Sequence, residues 1–206
     1  MTKLASTSPR RGPKPNLHTR DNLMLAGLRM FHTTGYTATG IKDIVNAADV
    51  PKGSFYNHFE SKEVFGKEVV DFYFSNALPN IKNILEEKET NPIDRLRNYF
   101  ESRMDCIREN GYSRGCLMGN FSLEVADHSE LIRESIAEHF QTWKSLIESC
   151  ISDAKAKGHI KNQIESPQLA EFILNSWEGA LLRMRADKNE KPFDDFMNVI
   201  FNLVLA

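Results

Sequence analysis

The residues best suited to chemistry in this 206-residue chain lie in the segment PKGSFYNHFESK, residues 51–62. Helical spacing puts Phe55 and Phe59 on one face of this segment and hydrogen-bonding side chains on the other. Such side chains can hold phosphate oxygens or read base edges, and a glycine lets the backbone approach a ligand closely. The segment therefore predicts a nucleic-acid contact surface made of Lys52, Gly53, Ser54, Tyr56, Asn57, His58 and Lys62.

The distribution of charge supports this prediction. The formal net charge is −2, yet residues 1–67 carry a balance of +5 and residues 68–206 a balance of −7. The basic N-terminal part indicates that it binds a polyanion, and the acidic remainder indicates a different function for the rest of the chain. Residues 1–17 are basic and contain three prolines, so we expect a flexible arm. Within it Arg10, Arg11 and Lys14 either reach an adjacent minor groove or form a solubilising tail.

Other kinds of chemistry have little support in the sequence. The odd number of cysteines, without a Cys-x-x-Cys pair, favours a reducing compartment, and we expect a cytoplasmic protein. The histidines match no compact ligand spacing, so neither a metal nor a cofactor is expected. No Gly-x-Ser-x-Gly elbow or phosphate-binding glycine loop is present, so no residue is assigned a catalytic role. We find no apolar run of about 18 residues and no signal peptide, so no membrane role is expected.

Helices must position the candidate residues, because apolar side chains recur at helical spacing and no stretch alternates like a strand. We therefore predict an all-α fold. A first helix ends at Gly35, Thr39 caps a second, and a turn near Asp49 separates it from a third at about 52–59. Ser61 caps a long fourth helix. This is the outline of a helix-turn-helix, whose second helix enters the major groove of DNA.

The stretch GYTATGIKDIVNAADVPKGSFYNHFESKEVF, residues 35–65, resembles the DNA-binding signature of the TetR family of bacterial transcriptional regulators. The family's usual glycine before the turn is Asp49 here, and its usual serine after valine is Pro51, which still suits a helix start. The resemblance implies a repressor that binds a palindromic double-stranded operator as a homodimer. It places Thr39 with its helix N-terminus against the DNA backbone. It further implies phosphate contacts by Lys52, Tyr56, His58 and Lys62 and base contacts by Gly53, Ser54 and Asn57.

By the same resemblance, residues 18–67 form the DNA-binding domain and residues 68–206 an effector-binding and dimerisation domain. The apolar stripes Leu169–Met184 and Phe193–Val204 predict the dimer, as a four-helix bundle with Phe201 at the interface. A small-molecule effector would lie among apolar residues of the central helices. The candidates for that pocket are Phe100, Met104, Phe121, Phe140, Trp143 and Trp177.

The segment RGCLMGNFSLEVAD, residues 114–127, resembles a TetR subgroup whose members respond to electrophiles, oxidants or small unsaturated acids. Cys116 occupies the position of the sensing thiol in that subgroup. A helix start and nearby Arg114 predict a lowered thiol pKa, and Arg183 or Arg185 could stabilise the thiolate. Three alternatives remain open: an inert buried cysteine, a ligand-independent DNA-binding or architectural protein, and a thiol-dependent helical enzyme.

Overall fold

The computed structural model describes residues 18–206, and every regular element in that range is a helix. The predicted arm, with Arg10, Arg11 and Lys14, lies outside the described residues. The predicted all-α fold is confirmed. In chain order the helices are α1 Thr19–Thr34, α2 Ile41–Ala47, α3 Lys52–Tyr56, α4 Lys62–Leu85, α5 Pro92–Glu109, α6 Leu117–Glu124, α7 Glu130–Ala156, α8 Ser166–Asp187 and α9 Lys191–Val199, which continues as a π-helical turn at Ile200–Val204.

Local signals set the boundaries of the first helices. Gly35 ends α1 with φ at 92°, a conformation that glycine adopts without steric cost. Asp49 has φ at 54°, in the left-handed region, which explains why a glycine is usual at this position. The Ser61 hydroxyl accepts the Val64 N–H at 3.1 Å and so caps α4, as predicted.

The start of α2 differs from the prediction. Gly40, not Thr39, is the N-cap, and the Asp43 carboxylate accepts the Gly40 N–H at 2.9 Å. Thr39 is fully buried, and its hydroxyl donates to the Gly35 carbonyl at 2.6 Å. The threonine side chain therefore fixes the loop between α1 and α2. Its predicted role as helix cap is wrong, whereas the predicted contact of this helix start with the DNA backbone stays a prediction.

An aromatic core holds α1 to α4 together. Phe65 of α4 packs against Phe31 of α1 and Phe55 of α3, with ring centroids 5.8 and 5.1 Å apart. Gly27 permits this approach, because a Cβ on it would lie 2.3 Å from Phe65 Cζ. The short third helix is thus held by its phenylalanine rather than by its own five residues, too few to be stable alone.

Helix α4 joins the two parts of the molecule. Its first turns belong to the aromatic core, whereas Phe74, Ile81 and Leu85 are buried against the larger helical part. The proposed boundary at residues 67 and 68 therefore falls inside a continuous helix. In the larger part, Phe100 of α5 packs on Trp177 of α8 and Phe196 of α9, with centroids 5.3 and 4.9 Å apart. Across residues 18–206, no helix has the length and apolar character needed to cross a membrane.

Candidate nucleic-acid interface and thiol site

Helix α3 and the residues after it present a polar face to solvent. Phe55 and Phe59 are 0% and 2% exposed, with ring centroids 5.3 Å apart. The predicted contact residues point the other way: Ser54 is half-buried, and exposed are Lys52, Gly53, Tyr56, Asn57 and His58. The structure thus gathers these residues on one surface, as the helical spacing predicted.

Lys62 has an intramolecular role that the sequence did not indicate. Its ammonium donates to the Tyr36 carbonyl at 2.6 Å and lies 4.3 Å from the centroid of the Tyr36 ring. Burial lowers the pKa of Lys62. An ammonium has three donors, so a phosphate contact stays compatible with this geometry. Lys62 also ties the start of α4 to the loop after α1.

Tyr36 and Phe31 connect the helix-turn-helix to α6. The ring of Phe121 lies 5.4 Å from Phe31 and 5.2 Å from Tyr36. At the end of the same helix, the Glu124 carboxylate accepts the Thr37 N–H at 3.0 Å. Phe121, predicted to line an effector pocket, instead packs at the junction between α6 and the first helices.

Cys116 is the N-cap of α6, as predicted, and is 5% exposed. The predicted lowering of its pKa is wrong. Burial raises the pKa of the Cys116 thiol well above its ordinary value, and the negative charge of Glu178 raises it further. At neutral pH the group is therefore a thiol and not a thiolate.

The two arginines proposed to stabilise a thiolate are engaged elsewhere. Arg183 is exposed and pairs with Asp187 at 3.0 Å. Arg185 donates to the Asn120 side-chain oxygen at 3.0 Å. Only Arg185 lines the same cavity as Cys116.

Two cavities meet at Cys116. The larger, of about 250 Å³, is open to solvent and has mostly apolar walls that include Leu181 and Leu182 of α8. The smaller, of about 20 Å³, lies behind the thiol, between Trp143 and Trp177. A third cavity of about 390 Å³ is lined by Phe140 and adjoins the first at Gly119 and Glu178. Of the predicted pocket residues, these two tryptophans and Phe140 line cavities, whereas Phe100 and Met104 are fully buried in the core.

Sequence reasoning missed the polar residues around the thiol. Glu178 of α8 faces Cys116 and lines both larger cavities. Arg103 of α5 and Tyr73 of α4 line the small cavity behind the thiol. Tyr99 Oη and Trp143 Nε1 are buried beside a neighbouring cavity, which Tyr73 and Arg103 also line. Trp143 is one of the predicted pocket residues, whereas Glu178, Arg103, Tyr73 and Tyr99 are not, because only the packing of α4, α5 and α8 brings these four side chains together.

No group of three or more His, Cys, Asp and Glu side chains is placed to hold a metal ion within residues 18–206. The polar surface on α3, above a buried aromatic core, has the form of a helix-turn-helix DNA-binding regulator.

Comparison with known families agrees with this class. Residues 23–69 match the family described as "Bacterial regulatory proteins, tetR family", and residues 92–200 match "Tetracyclin repressor-like, C-terminal domain". The chain therefore belongs to the TetR family of transcriptional regulators, which are not enzymes.

Relatives and solved structures support the same assignment. The chain is 38% identical to the HTH-type transcriptional repressor DhaR of Mycobacterium sp. strain GP1, over 90% of this chain and 92% of that protein. It is similar to a TetR regulatory protein of Rhodobacter sphaeroides, with a TM-score of 0.85 and 28% identity, covering 90% of this chain and 98% of that one. The reduced form of Escherichia coli NemR aligns with a TM-score of 0.81 and 26% identity, covering 89% and 95%.

Proposed function

We propose that this repressor binds a palindromic operator as a homodimer through α3 and is released by a small-molecule, electrophile or oxidant signal received at Cys116. The observation that carries the DNA-binding part is the α3 surface, where six polar or small residues surround a fully buried Phe55. Burial of the phenylalanine fixes the orientation of the neighbouring donors before DNA binds. Preorganised donors lose less conformational entropy on binding.

Titration of labelled duplexes, first selected from random sequences, tests operator binding. Lys52→Ala should weaken binding to all duplexes about equally and reduce the slope of log affinity against log salt by about 1, because one phosphate contact is lost. Asn57→Ala should alter base preference at one position of each half-site. Lys82→Ala is the matched control. It removes the same charge at an exposed position of α4, about 30 Å along the helix from Lys62. A selection that returns no consensus, or equal effects of both lysine variants, would contradict the proposal.

For the dimer, the support is an exposed apolar face on α8 and α9. Phe172 is 51%, Leu182 56% and Leu203 72% exposed, and a cavity of about 350 Å³ lies between Phe172 and Val199. Phe201, expected at this interface, is buried within the subunit, with the Arg97 guanidinium 4.4 Å from its ring centroid.

Leu203→Glu is therefore the informative substitution for the dimer, because it places a charge on the exposed face without disturbing the core. It should give monomers in sedimentation velocity at micromolar concentration, whereas Leu25→Glu, at an exposed leucine on α1, should leave dimers. An unmodified protein that sediments as a monomer would refute the dimer.

The position of Cys116 at the start of α6 supports its role in release. Bulk or charge added to this buried thiol would displace a helix of eight residues whose other turns contact Phe31, Tyr36 and Thr37. The displacement would reach Lys62 through its bond to the Tyr36 carbonyl. The solved structure of E. coli NemR is described as a reduced form, which is consistent with a cysteine whose oxidation state changes.

Cys116→Ser tests this role. The variant should bind operator normally and stay bound when N-ethylmaleimide or hypochlorite releases the parent protein. If the variant is released as readily as the parent, Cys116 is not the sensor, and a non-covalent effector that binds in the same region is favoured instead. A protein that no small molecule or oxidant releases would favour the ligand-independent alternative.

A further inference from the structure

The carboxylate of Glu178 has an unusual position beside the Cys116 thiol. Both groups line the cavity of about 250 Å³ and are within hydrogen-bonding reach of each other, and Glu178 also lines the adjoining cavity of about 390 Å³. Gly119 makes this possible, because a Cβ at that residue would lie 2.5 Å from Glu178 Oε2 and 3.7 Å from the Cys116 Cβ. The absence of a side chain on α6 therefore creates the space in which carboxylate and thiol meet.

Glu178 has little compensation for its burial. Its Oε1 atom is buried without a hydrogen-bond partner, and within residues 18–206 no cation lies at ion-pairing distance. A buried carboxylate oxygen without a hydrogen-bond partner costs free energy, so a structural role alone does not account for Glu178.

The charged and titratable groups that face this pair come from four helices. The guanidinium of Arg103 on α5 is the nearest cationic influence on Glu178, and it forms neither an ion pair nor a hydrogen bond with any described residue. Tyr73 of α4 and Tyr99 of α5 carry raised pKa values to which Glu178 contributes. Around the cavity walls, Arg185 is bonded to Asn120, and Lys144 of α7 pairs loosely with Glu171 of α8.

We propose that Glu178 accepts the proton of the Cys116 thiol as the sulfur attacks a small uncharged carbon electrophile in the cavity of about 250 Å³. The inference rests on the proposed sensing role of Cys116. With a haloacetamide, the sulfur lone pair forms the S–C bond, the C–halogen bond breaks and halide leaves. The proton passes from sulfur to Glu178 and then to solvent through the open cavity. With an activated double bond, the same proton is returned to the carbon that gained the electron pair.

The acid–base properties fit this step. Burial raises the pKa of Glu178 to about 7, so the carboxylate is ionised at slightly alkaline pH and holds a proton below neutrality. The Cys116 thiol, whose pKa is raised, stays protonated over the same range and needs a base in order to react. A neutral reagent suits the walls, because Leu181 and Leu182 are apolar and the carboxylate repels anions.

The test measures the rate of Cys116 alkylation by iodoacetamide between pH 5.5 and 9, by mass spectrometry of the intact full-length protein. Cys106→Ser is the background, because Cys106 is the exposed cysteine. The rate should rise through an inflection near pH 7. Glu178→Gln should slow the reaction at pH 8 by roughly 10-fold or more and abolish the inflection.

The opposite role for Glu178 predicts the opposite sign. If the carboxylate only repels the thiolate, its neutralisation lowers the thiol pKa, and Glu178→Gln reacts faster than the parent. A faster or unchanged rate therefore overturns the proposal. Glu171→Gln, which removes the same charge from the same helix, is the matched control and should react as the parent does. Gly119→Ala should slow alkylation while it keeps the carboxylate, because the new Cβ displaces Glu178 Oε2.

Measurements of operator binding distinguish the sensing role of Cys116 from the proton-acceptor role of Glu178. Each variant must bind operator before treatment, which shows that it is folded. If Cys116 is alkylated with the expected pH profile but the protein stays on DNA, the sensing role fails and the role of Glu178 stands. If alkylation releases the protein at a rate that does not depend on Glu178, the proton-acceptor role fails and sensing stands.

Discussion

Glu178 should make the stability of the folded protein depend on pH. In the unfolded chain its pKa is at the ordinary value of 4.5, whereas in the folded protein burial raises it to about 7. The folded state therefore holds a proton that the unfolded state releases between these two values. The corresponding stabilisation is fully present below pH 4.5 and is lost as pH rises through 7. At about 1.36 kcal/mol per unit of pKa, the loss amounts to roughly 3 kcal/mol.

Glutamine keeps the shape of the protonated carboxyl group and does not ionise. Glu178→Gln should therefore have about the parent's stability at pH 4.5 and exceed it by up to roughly 3 kcal/mol at pH 8.5. Urea unfolding of both proteins at one protein concentration measures the difference at each pH. The comparison within one pH removes the contributions of all other titrating groups, which the two proteins share. A difference of equal size at pH 4.5 and 8.5 would show that folding does not raise the pKa of Glu178, and the argument from burial would be wrong.

Three further predictions concern α1, α6 and α8. Burial lowers the pKa of His32 from 6.5 to about 4, so its contribution to stability is present above pH 6.5 and is lost as pH falls to 4. In thermal unfolding, His32→Phe should therefore lose roughly 3 kcal/mol less unfolding free energy than the parent over this pH range. Gly27→Ala should destabilise the protein by roughly 1–3 kcal/mol through its clash with Phe65, whereas Gly179→Ala, with no atom within 4 Å of the new Cβ, should stabilise the helix by up to about 1 kcal/mol. Glu124→Gln should reduce the change in operator affinity on thiol modification, and an unchanged ratio of affinities would exclude α6 as the connection.

Sequence reasoning succeeded where a single residue determines the local backbone. Gly35 ends α1, Ser61 caps α4, and the turn at Asp49 follows from a position where left-handed geometry is required. The polar face of α3 was predictable because helical spacing and one buried phenylalanine suffice to define it. In each case the cause lies within a few residues of its effect.

It failed where the environment is set by distant residues. The Cys116 pKa was expected to fall from local features, the helix start and Arg114, but burial and Glu178, 62 residues further on, outweigh them. Phe201 belongs to an apolar stripe, and the stripe does not show which of its members the subunit buries for itself. Threonine is a residue type that often caps helices, but the Thr39 hydroxyl donates to the Gly35 carbonyl instead.

These contacts also bear on the proposed control of DNA binding by modification of Cys116. A 100-fold loss of operator affinity requires modification to favour the released conformation by about 2.7 kcal/mol. The interface between α6 and the first helices contains two aromatic pairs and one charged hydrogen bond, from Thr37 N–H to Glu124. Aromatic pairs contribute roughly 0.5–1.5 kcal/mol each and a hydrogen bond to a charged group about 1.5–3 kcal/mol. Loss of most of these contacts is therefore of the required size, and a displacement of α6 as a whole by the modified Cys116 would produce it.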